Sequence, residues 1–354
     1  MNICPRCKAE NPDSYQFCQF CGAKIIEEIE NFESSQVASD TEELQIETNL
    51  EDSPIISSEI ISPEIISSEI INSELSIVTS SPIYLQDITY GGKTDVGRQR
   101  DRNEDDFVAI FQTRRISGKS QISDRSDRGL FVLCDGMGGH EGGAEASAIA
   151  VNSIVDQFRP FWIDTLPGRQ KIEEIISSTN QAIFTRNENE KRQSLGRMGT
   201  TLVLLAVHDL QVAIAHVGDS RIYKLTNVSS PKLEQITRDH EVLNQLLDLG
   251  VDLESAQASP DAHQLTQALG PNPSAYLEPA IQFFLLTEPT LFLLCSDGLC
   301  DNDVIEQNWR SHLLPILNQE IDLQTGLDDL IELGNNLNGH DNLTAILVLS
   351  TSAN

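Results

Sequence analysis

The sequence predicts an α+β fold in which antiparallel strands form a layered core. Apolar, β-rich runs at residues 201–207, 212–217 and 221–225 follow one another with no helix between them. Strands joined this closely pair as antiparallel neighbours, because a parallel pair needs a long crossover connection. The pattern therefore favours antiparallel meanders over a doubly wound parallel sheet.

The other predicted elements also lie in residues 83–354, a length typical of one large catalytic domain. Further strand-like runs occur at residues 130–134, 291–295 and 344–349. Helical periodicity occurs at residues 141–158, 171–187, 241–249 and 323–337.

The net charge of the chain argues against nucleic acid as a binding partner. The 354 residues include 54 acidic and 24 basic side chains, which gives a net charge of −30. Nucleic-acid binding needs clustered Lys and Arg, so no nucleic-acid partner is expected. The N-terminus has no secretion signal and no 18-residue apolar window occurs, so we expect no membrane partner and a cytoplasmic location. The scattered Cys134, Cys295 and Cys300 are expected to be reduced, and the chain to be a monomer.

The first region, residues 1–24, has the spacing of a zinc ribbon. Cys4-Pro-Arg-Cys7 is followed, after ten residues, by Cys18-Gln-Phe-Cys21. Two such knuckles can place four thiolates around one Zn²⁺, and metal binding would supply the folding energy that so short a segment lacks. The site would be structural, because it leaves no open coordination position. The alternative is a pair of redox dithiols.

The second region, residues 25–82, is predicted to be a disordered acidic linker. No Lys or Arg occurs between Lys24 and Lys93, and residues 55–74 repeat a pentad of two isoleucines, two small residues and a glutamate. A period of five matches neither a strand nor a helix face, and like charges oppose folding. The alternative is a docking segment that orders on a protein partner.

The third region places acidic residues directly after apolar runs. Asp135 and Asp297 each follow a strand-like run and each precede a glycine. A carboxylate at a buried strand end is costly unless it is paired or bound to a metal, and oxygen ligands suit Mg²⁺ or Mn²⁺. Any one Asp-Gly could simply be a turn. That reading weakens because five acidic motifs recur, at residues 100–105, 134–140, 217–221, 296–301 and 340–342.

In their order, these motifs resemble the metal-dependent protein phosphatases, the protein phosphatase 2C-like enzymes, and above all their bacterial branch. The resemblance covers residues 94–348 and also includes Gly199-Thr200-Thr201. It implies a four-layer α-β-β-α sandwich, with two antiparallel sheets face to face and helices outside.

The resemblance also implies the site. Two Mg²⁺ or Mn²⁺ ions would be held by residues matching the family ligands, which are Glu104, Asp105, Asp135, Gly136, Asp297 and Asp341. Asp135 would bridge the ions, and Asp219 and Asp301 match positions linked to a possible third ion. Arg100 matches the arginine that grips the substrate phosphate; the alternative is a surface arginine.

The expected reaction is hydrolysis of phosphoserine and phosphothreonine in proteins by a hydroxide shared between the two ions, with Arg100 and Asp135 as catalytic residues. Phosphorylated proteins would be the substrates. Two other readings stay open. The chain could be a phosphoprotein-binding scaffold with little catalysis, or the zinc ribbon and linker could carry the main role as an interaction module.

Overall fold

The structure, a computed structural model, describes residues 2–3, 10–11, 85–115, 125–138, 142–160 and 165–352. The predicted zinc ligands Cys4, Cys7, Cys18 and Cys21 and the predicted linker, residues 25–82, lie outside the described residues. Two short strands, β1 (Asn2–Ile3) and β2 (Glu10–Asn11), pair antiparallel. Among the described helices, none combines the length and apolar character that crossing a lipid bilayer requires.

Two five-stranded antiparallel sheets dominate the described part of the chain. The first sheet has the strand order β11-β10-β13-β14-β3 and the second β12-β9-β8-β5-β4. Their bounds are β3 (Leu85–Asp95), β4 (Asp106–Arg115), β5 (Arg125–Cys134), β8 (Leu202–His208), β9 (Gln211–Val217), β10 (Arg221–Thr226), β11 (Lys232–Gln235), β12 (Ala280–Leu285), β13 (Thr290–Cys295) and β14 (Leu343–Ser352). A short pair, β6 (Gly136–Met137) and β7 (Gly199–Thr200), lies beside them in sequence.

The central strands are apolar throughout because both of their faces are buried. On β5, Phe131 and Leu133 pack between the two sheets, whereas Leu130 and Val132 pack against helices. On β13, Phe292 likewise enters the core between the sheets. Each buried side chain of this size stabilises the fold by roughly 1.5–3 kcal/mol relative to exposure.

Helices cover the outer face of each sheet. They are α1 (Gly142–Phe158), α2 (Arg169–Asn189), α5 (Asp297–Cys300), α6 (Val304–His312), α7 (Leu314–Leu317) and α8 (Leu323–Leu337). Two further helices, α3 (Val242–Asp248) and α4 (Leu253–Gln257), pack against each other in a separate apolar cluster. Helices α1 and α2 bury Ile154 and Ile176 on the second sheet, and α8 buries Leu327 and Leu330 on the first. This layering confirms the predicted fold of two antiparallel sheets flanked by helices.

The segment between β11 and β12 returns to the second sheet at Gly270. Its φ is +100°, and its amide donates to Asn180 Oδ1 on α2 at 2.7 Å. A Cβ added here would lie 2.3 Å from Ile183 Cγ2, so both the backbone angle and the packing require glycine.

We therefore expect Gly270→Ala to destabilise the protein more than Gly250→Ala. Gly250 has a similar φ of +83°, but an added Cβ would meet nothing within 4 Å. The left-handed backbone alone should cost about 1–2 kcal/mol at either site. The clash with Ile183 should add roughly 1–3 kcal/mol at Gly270. Urea unfolding of both variants measures the difference, and equal losses would contradict this packing argument.

Candidate active site

Strand ends bring the predicted acids to one end of the sandwich. Asp135 directly follows β5, and Asp105 directly precedes β4, whose first residue pairs with the last residue of β5. In the other sheet, Asp297 comes two residues after β13 and Asp341 comes two residues before β14. Because these neighbours run antiparallel, the end of one strand lies beside the start of the next.

Asp135 and Asp297 form the centre of this cluster. Their carboxyl groups lie in direct contact, and this contact raises the pKa of Asp135 and lowers that of Asp297. Burial raises the pKa of Asp135 well above its ordinary value, and repulsion from Asp105 and Asp297 adds to this. Burial also raises the pKa of Asp297. Both shifts have the same physical origin, since two adjacent carboxylates in a desolvated site repel each other unless a proton or a cation lies between them.

Asp105 adds a third carboxyl group with one free oxygen. Burial raises its pKa to about 7, while hydrogen bonds from Thr344 and Ser296 oppose this shift. Its Oδ1 atom is buried and has no hydrogen-bond partner, and the same is true of Oδ1 of Asp297. Buried oxygens of this kind are costly unless a donor or a cation meets them.

Asp341 pairs with Arg100. The guanidinium Nη2 donates to Asp341 Oδ2 at 2.5 Å, and this contact raises the pKa of Arg100. About half of the Arg100 side chain is exposed, so its remaining donors face solvent at the site. Repulsion from Asp341 also raises the pKa of Asp297, which places Asp341 within the cluster.

Glu104 and Gly136 meet at the start of α1. The carbonyl of Glu104 accepts from the Gly136 amide at 3.1 Å and from Ser147 Oγ on α1 at 2.6 Å. A Cβ on Gly136 would lie 2.2 Å from the Gly143 carbonyl oxygen, so no other residue fits here. Burial raises the pKa of Glu104.

Asp219 and Asp301 lie at the edge of the cluster. Burial, followed by repulsion from Asp297, raises the pKa of Asp219 well above its ordinary value and that of Asp301 to about 6. The turn that carries Asp219 is tied to His240, whose amide donates to the Gly218 carbonyl at 2.9 Å. Asp297 therefore interacts with every aspartate that the sequence singled out in this domain.

The chemistry of this set fits divalent cations. Within the described ranges, no three acidic, His or Cys side chains are already arranged around one metal position. The Arg100–Asp341 contact occupies one of the oxygens of this set. The unpartnered oxygens of Asp105 and Asp297 nevertheless supply free ligands. All donors are oxygens, which suits Mg²⁺ or Mn²⁺.

Sequence reasoning assigned no role to three buried polar residues at this site. Asn342 accepts from the Glu104 amide at 2.8 Å and donates to the carbonyls of Val96 and Arg102, both at 2.9 Å, so it fixes the loop that carries Arg100. Ser296 and Thr344 contact Asp105. One sequence feature could have indicated them, namely a polar residue inside or beside an apolar run, as Thr344 is within residues 343–349.

Comparison with known proteins gives a consistent picture. The family described as "Protein phosphatase 2C" matches residues 118–331. Protein phosphatase PhpP of Streptococcus pneumoniae is 32% identical over 257 residues, covering 72% of this chain and 94% of that protein. Serine/threonine phosphatase stp of Listeria monocytogenes is 35% identical over 263 residues, covering 72% and 93%.

Solved structures agree. The serine/threonine phosphatase PstP/Ppp of Mycobacterium tuberculosis superposes with a TM-score of 0.58 at 28% identity, covering 75% of this chain and 99% of that one. The PstP catalytic domain in complex with two manganese ions gives a TM-score of 0.54 at 28% identity, covering 75% and 98%. The chain described here belongs to the protein phosphatase 2C family.

Proposed function

We propose that the carboxylate cluster holds two Mg²⁺ or Mn²⁺ ions and that Arg100 grips the phosphate of the substrate. The chain is a protein serine/threonine phosphatase, as its family membership implies, and its substrates are phosphorylated proteins. The observation that carries the site assignment is the buried contact between the Asp135 and Asp297 carboxyl groups, together with the unpartnered Oδ1 atoms of Asp105 and Asp297. A cation would offset the repulsion among these carboxyl groups and meet those oxygens.

The proposed ligands are Glu104, Asp105, Asp135, the Gly136 carbonyl, Asp297 and Asp341, with Asp219 and Asp301 available to a third ion. When bound, the ions would supply Lewis acidity that lowers the pKa of a water molecule and offsets charge on the phosphoryl group. The Asp341–Arg100 contact keeps the guanidinium at the site, where its planar fork matches two phosphate oxygens.

Among the described residues, two candidate nucleophiles lie beside the cluster, Thr200 and Cys134, and neither is activated. Thr200 Oγ1 donates to the Asp135 carbonyl at 2.8 Å, which commits its proton to the backbone. The Cys134 thiol is fully buried, and burial raises its pKa well above its ordinary value. Both observations support direct attack by water on phosphorus, without a covalent enzyme intermediate.

The N-terminal zinc ribbon and the acidic linker also remain part of this proposal. The Cys4–Cys7 and Cys18–Cys21 spacing supports one structural Zn²⁺, and the linker offers a segment for a protein partner. Cys134, Cys295 and Cys300 are free and buried, which supports a reducing, cytoplasmic environment.

Replacing the bridging carboxylate should abolish turnover. We expect Asp135→Asn to lower kcat/KM for a phosphothreonine peptide in Mn²⁺ by more than about 100-fold, since even residues behind metal ligands contribute 10–100-fold. Asp209→Asn is the matched control, because Asp209 lies in the β8–β9 turn at the far end of the sheet. Phosphate release with and without EDTA measures the effect. Full turnover by Asp135→Asn would refute the assignment.

Mn²⁺ binding should strengthen as pH rises. Burial raises the pKa of Asp105 to about 7, so below that pH a bound ion must displace a proton. Calorimetry between about pH 5.5 and about pH 7.5 should show the apparent affinity rising, by up to roughly tenfold per pH unit for each displaced proton. An affinity that stays constant over this range would mean that the carboxyl groups are already ionised.

The zinc assignment predicts about one Zn²⁺ per full-length chain after mild chelation. Cys18→Ser should lose that zinc, whereas Ser14→Ala, between the two knuckles, should keep it. Elemental analysis of the purified proteins measures the content. A zinc-free wild-type chain that forms disulfides among these four cysteines would favour the redox alternative.

A further inference from the structure

The Asp105 carboxylate is held by two buried hydroxyl groups. Its Oδ2 accepts from Thr344 Oγ1 at 2.6 Å and from Ser296 Oγ at 2.9 Å. Both hydroxyl-bearing residues are completely buried. Its Oδ1, in contrast, is buried without a partner. One oxygen is therefore fully committed to the protein, and the other is left for a ligand.

The hydrogen positions in this network run in one direction when Asp105 is ionised. The Thr344 amide donates to Ser296 Oγ at 3.0 Å, so the hydroxyl hydrogen of Ser296 is free to reach Asp105. Thr344 uses its own hydroxyl hydrogen for Asp105, so Thr94 is the donor in the 2.7 Å contact between the two threonines. Thr94 in turn accepts from Asn103 Nδ2 at 2.6 Å. Every donated hydrogen in this hydrogen-bond network is therefore directed toward Asp105 Oδ2, and hydrogen bonds aligned in this way strengthen one another.

The network also joins the two sheets. Thr94 lies one residue before the end of β3 and pairs in register with Thr344 on β14, and Ser296 directly follows β13, so all three lie in or directly beside the first sheet. Asp105 instead leads into β4 of the second sheet. The orientation of this carboxylate is thus fixed from the opposite sheet and does not depend on its own loop alone.

A buried threonine such as Thr344 destabilises the fold unless its hydroxyl group forms hydrogen bonds. It is fully buried near the start of β14, between Leu343 and Ala345, which are also fully buried. Valine has the same shape and no polar atom, so it would fill the same space without a buried hydroxyl to satisfy. The hydroxyl gains its partner only through Asp105 and Thr94.

We propose that Thr344 and Ser296 are positioning residues of the metal site. They commit Oδ2 of Asp105 and so present Oδ1 to a divalent cation. This inference rests on the proposed metal-dependent function, and it adds two residues that contact neither the ions nor the substrate.

The test is Mn²⁺ affinity, measured by calorimetry on full-length protein. Thr344→Val should weaken Mn²⁺ binding by about 10–100-fold, the usual effect of removing a group that orients a metal ligand. Ser296→Ala should weaken it in the same range. Thr344→Ser, which restores the hydroxyl, should stay near the wild-type affinity, a rescue that loss of packing alone would not give.

Thr290→Val is the matched control. Thr290 is a fully buried threonine at the other end of β13, and its hydroxyl donates to the Glu288 carbonyl at 2.9 Å. Its variant should bind Mn²⁺ like the wild type. Wild-type affinity in Thr344→Val and Ser296→Ala, or an equal loss in Thr290→Val, would overturn the proposal. If Thr344→Val does not fold, Ser296→Ala decides alone.

The proposed function and this inference fail in distinguishable ways. A wild-type chain that binds Mn²⁺ but releases no phosphate would overturn the phosphatase activity and leave the hydroxyl network testable by affinity. A wild-type chain with no Mn²⁺ affinity would overturn both. If the wild-type chain releases phosphate normally and the Thr344 and Ser296 variants bind Mn²⁺ as tightly as it does, only the positioning role would be overturned.

Discussion

Repulsion among carboxyl groups at one end of the sandwich is the constraint on which the rest of the site depends. Asp105, Asp135 and Asp297 are brought together in a desolvated pocket, and burial raises the pKa of each. Charges of one sign in such a site are tolerated only with protons or cations between them. The contact between the Asp135 and Asp297 carboxyl groups is the place where this repulsion is strongest, and it is where the proposed ions would act. A net charge of −30 adds a long-range field that favours the arrival of cations.

Close packing and hydrogen bonds hold the backbone around the cluster in place against this repulsion. Gly298 passes so close to β14 that an added Cβ would lie 2.0 Å from the Asn342 carbonyl oxygen. Asn342 joins the loop before β4 to the start of β14 through three hydrogen bonds. Thr201 accepts from the Asp135 amide at 3.0 Å and contacts Ser220 at 2.8 Å. Hydrogen-bonded networks of this kind keep carboxylates near one another without requiring the carboxylates themselves to attract.

The six interior strands of the two five-stranded sheets were predicted from the sequence, but none of the four edge strands was. Strands such as β8 and β13 are buried along their whole length, so they read as continuous apolar runs. The edge strands β3 and β4 mix apolar residues with Asp, Lys, Gln and Arg, because one side of each meets no further strand. Asp135 and Asp297 were predicted because carboxylates after apolar runs are conspicuous, whereas the other acids of the site were implied by the family resemblance. The hydroxyl and amide groups that bind these acids were not predicted. Ser296 and Thr344 contact Asp105 only because the fold brings distant segments of the sequence together.

The most direct test of the account is a crystal structure of the full-length chain grown with Mn²⁺, with diffraction data collected at the manganese absorption edge. The account predicts two strong anomalous peaks at the end of the sandwich, with Asp135 contacting both and with Asp105 Oδ1 and Asp297 Oδ1 among the other ligands. The direct contact between the Asp135 and Asp297 carboxyl groups should then be replaced by contacts with the ions. Anomalous peaks located elsewhere, or an Asp135–Asp297 contact that remains unchanged in saturating Mn²⁺, would contradict the account.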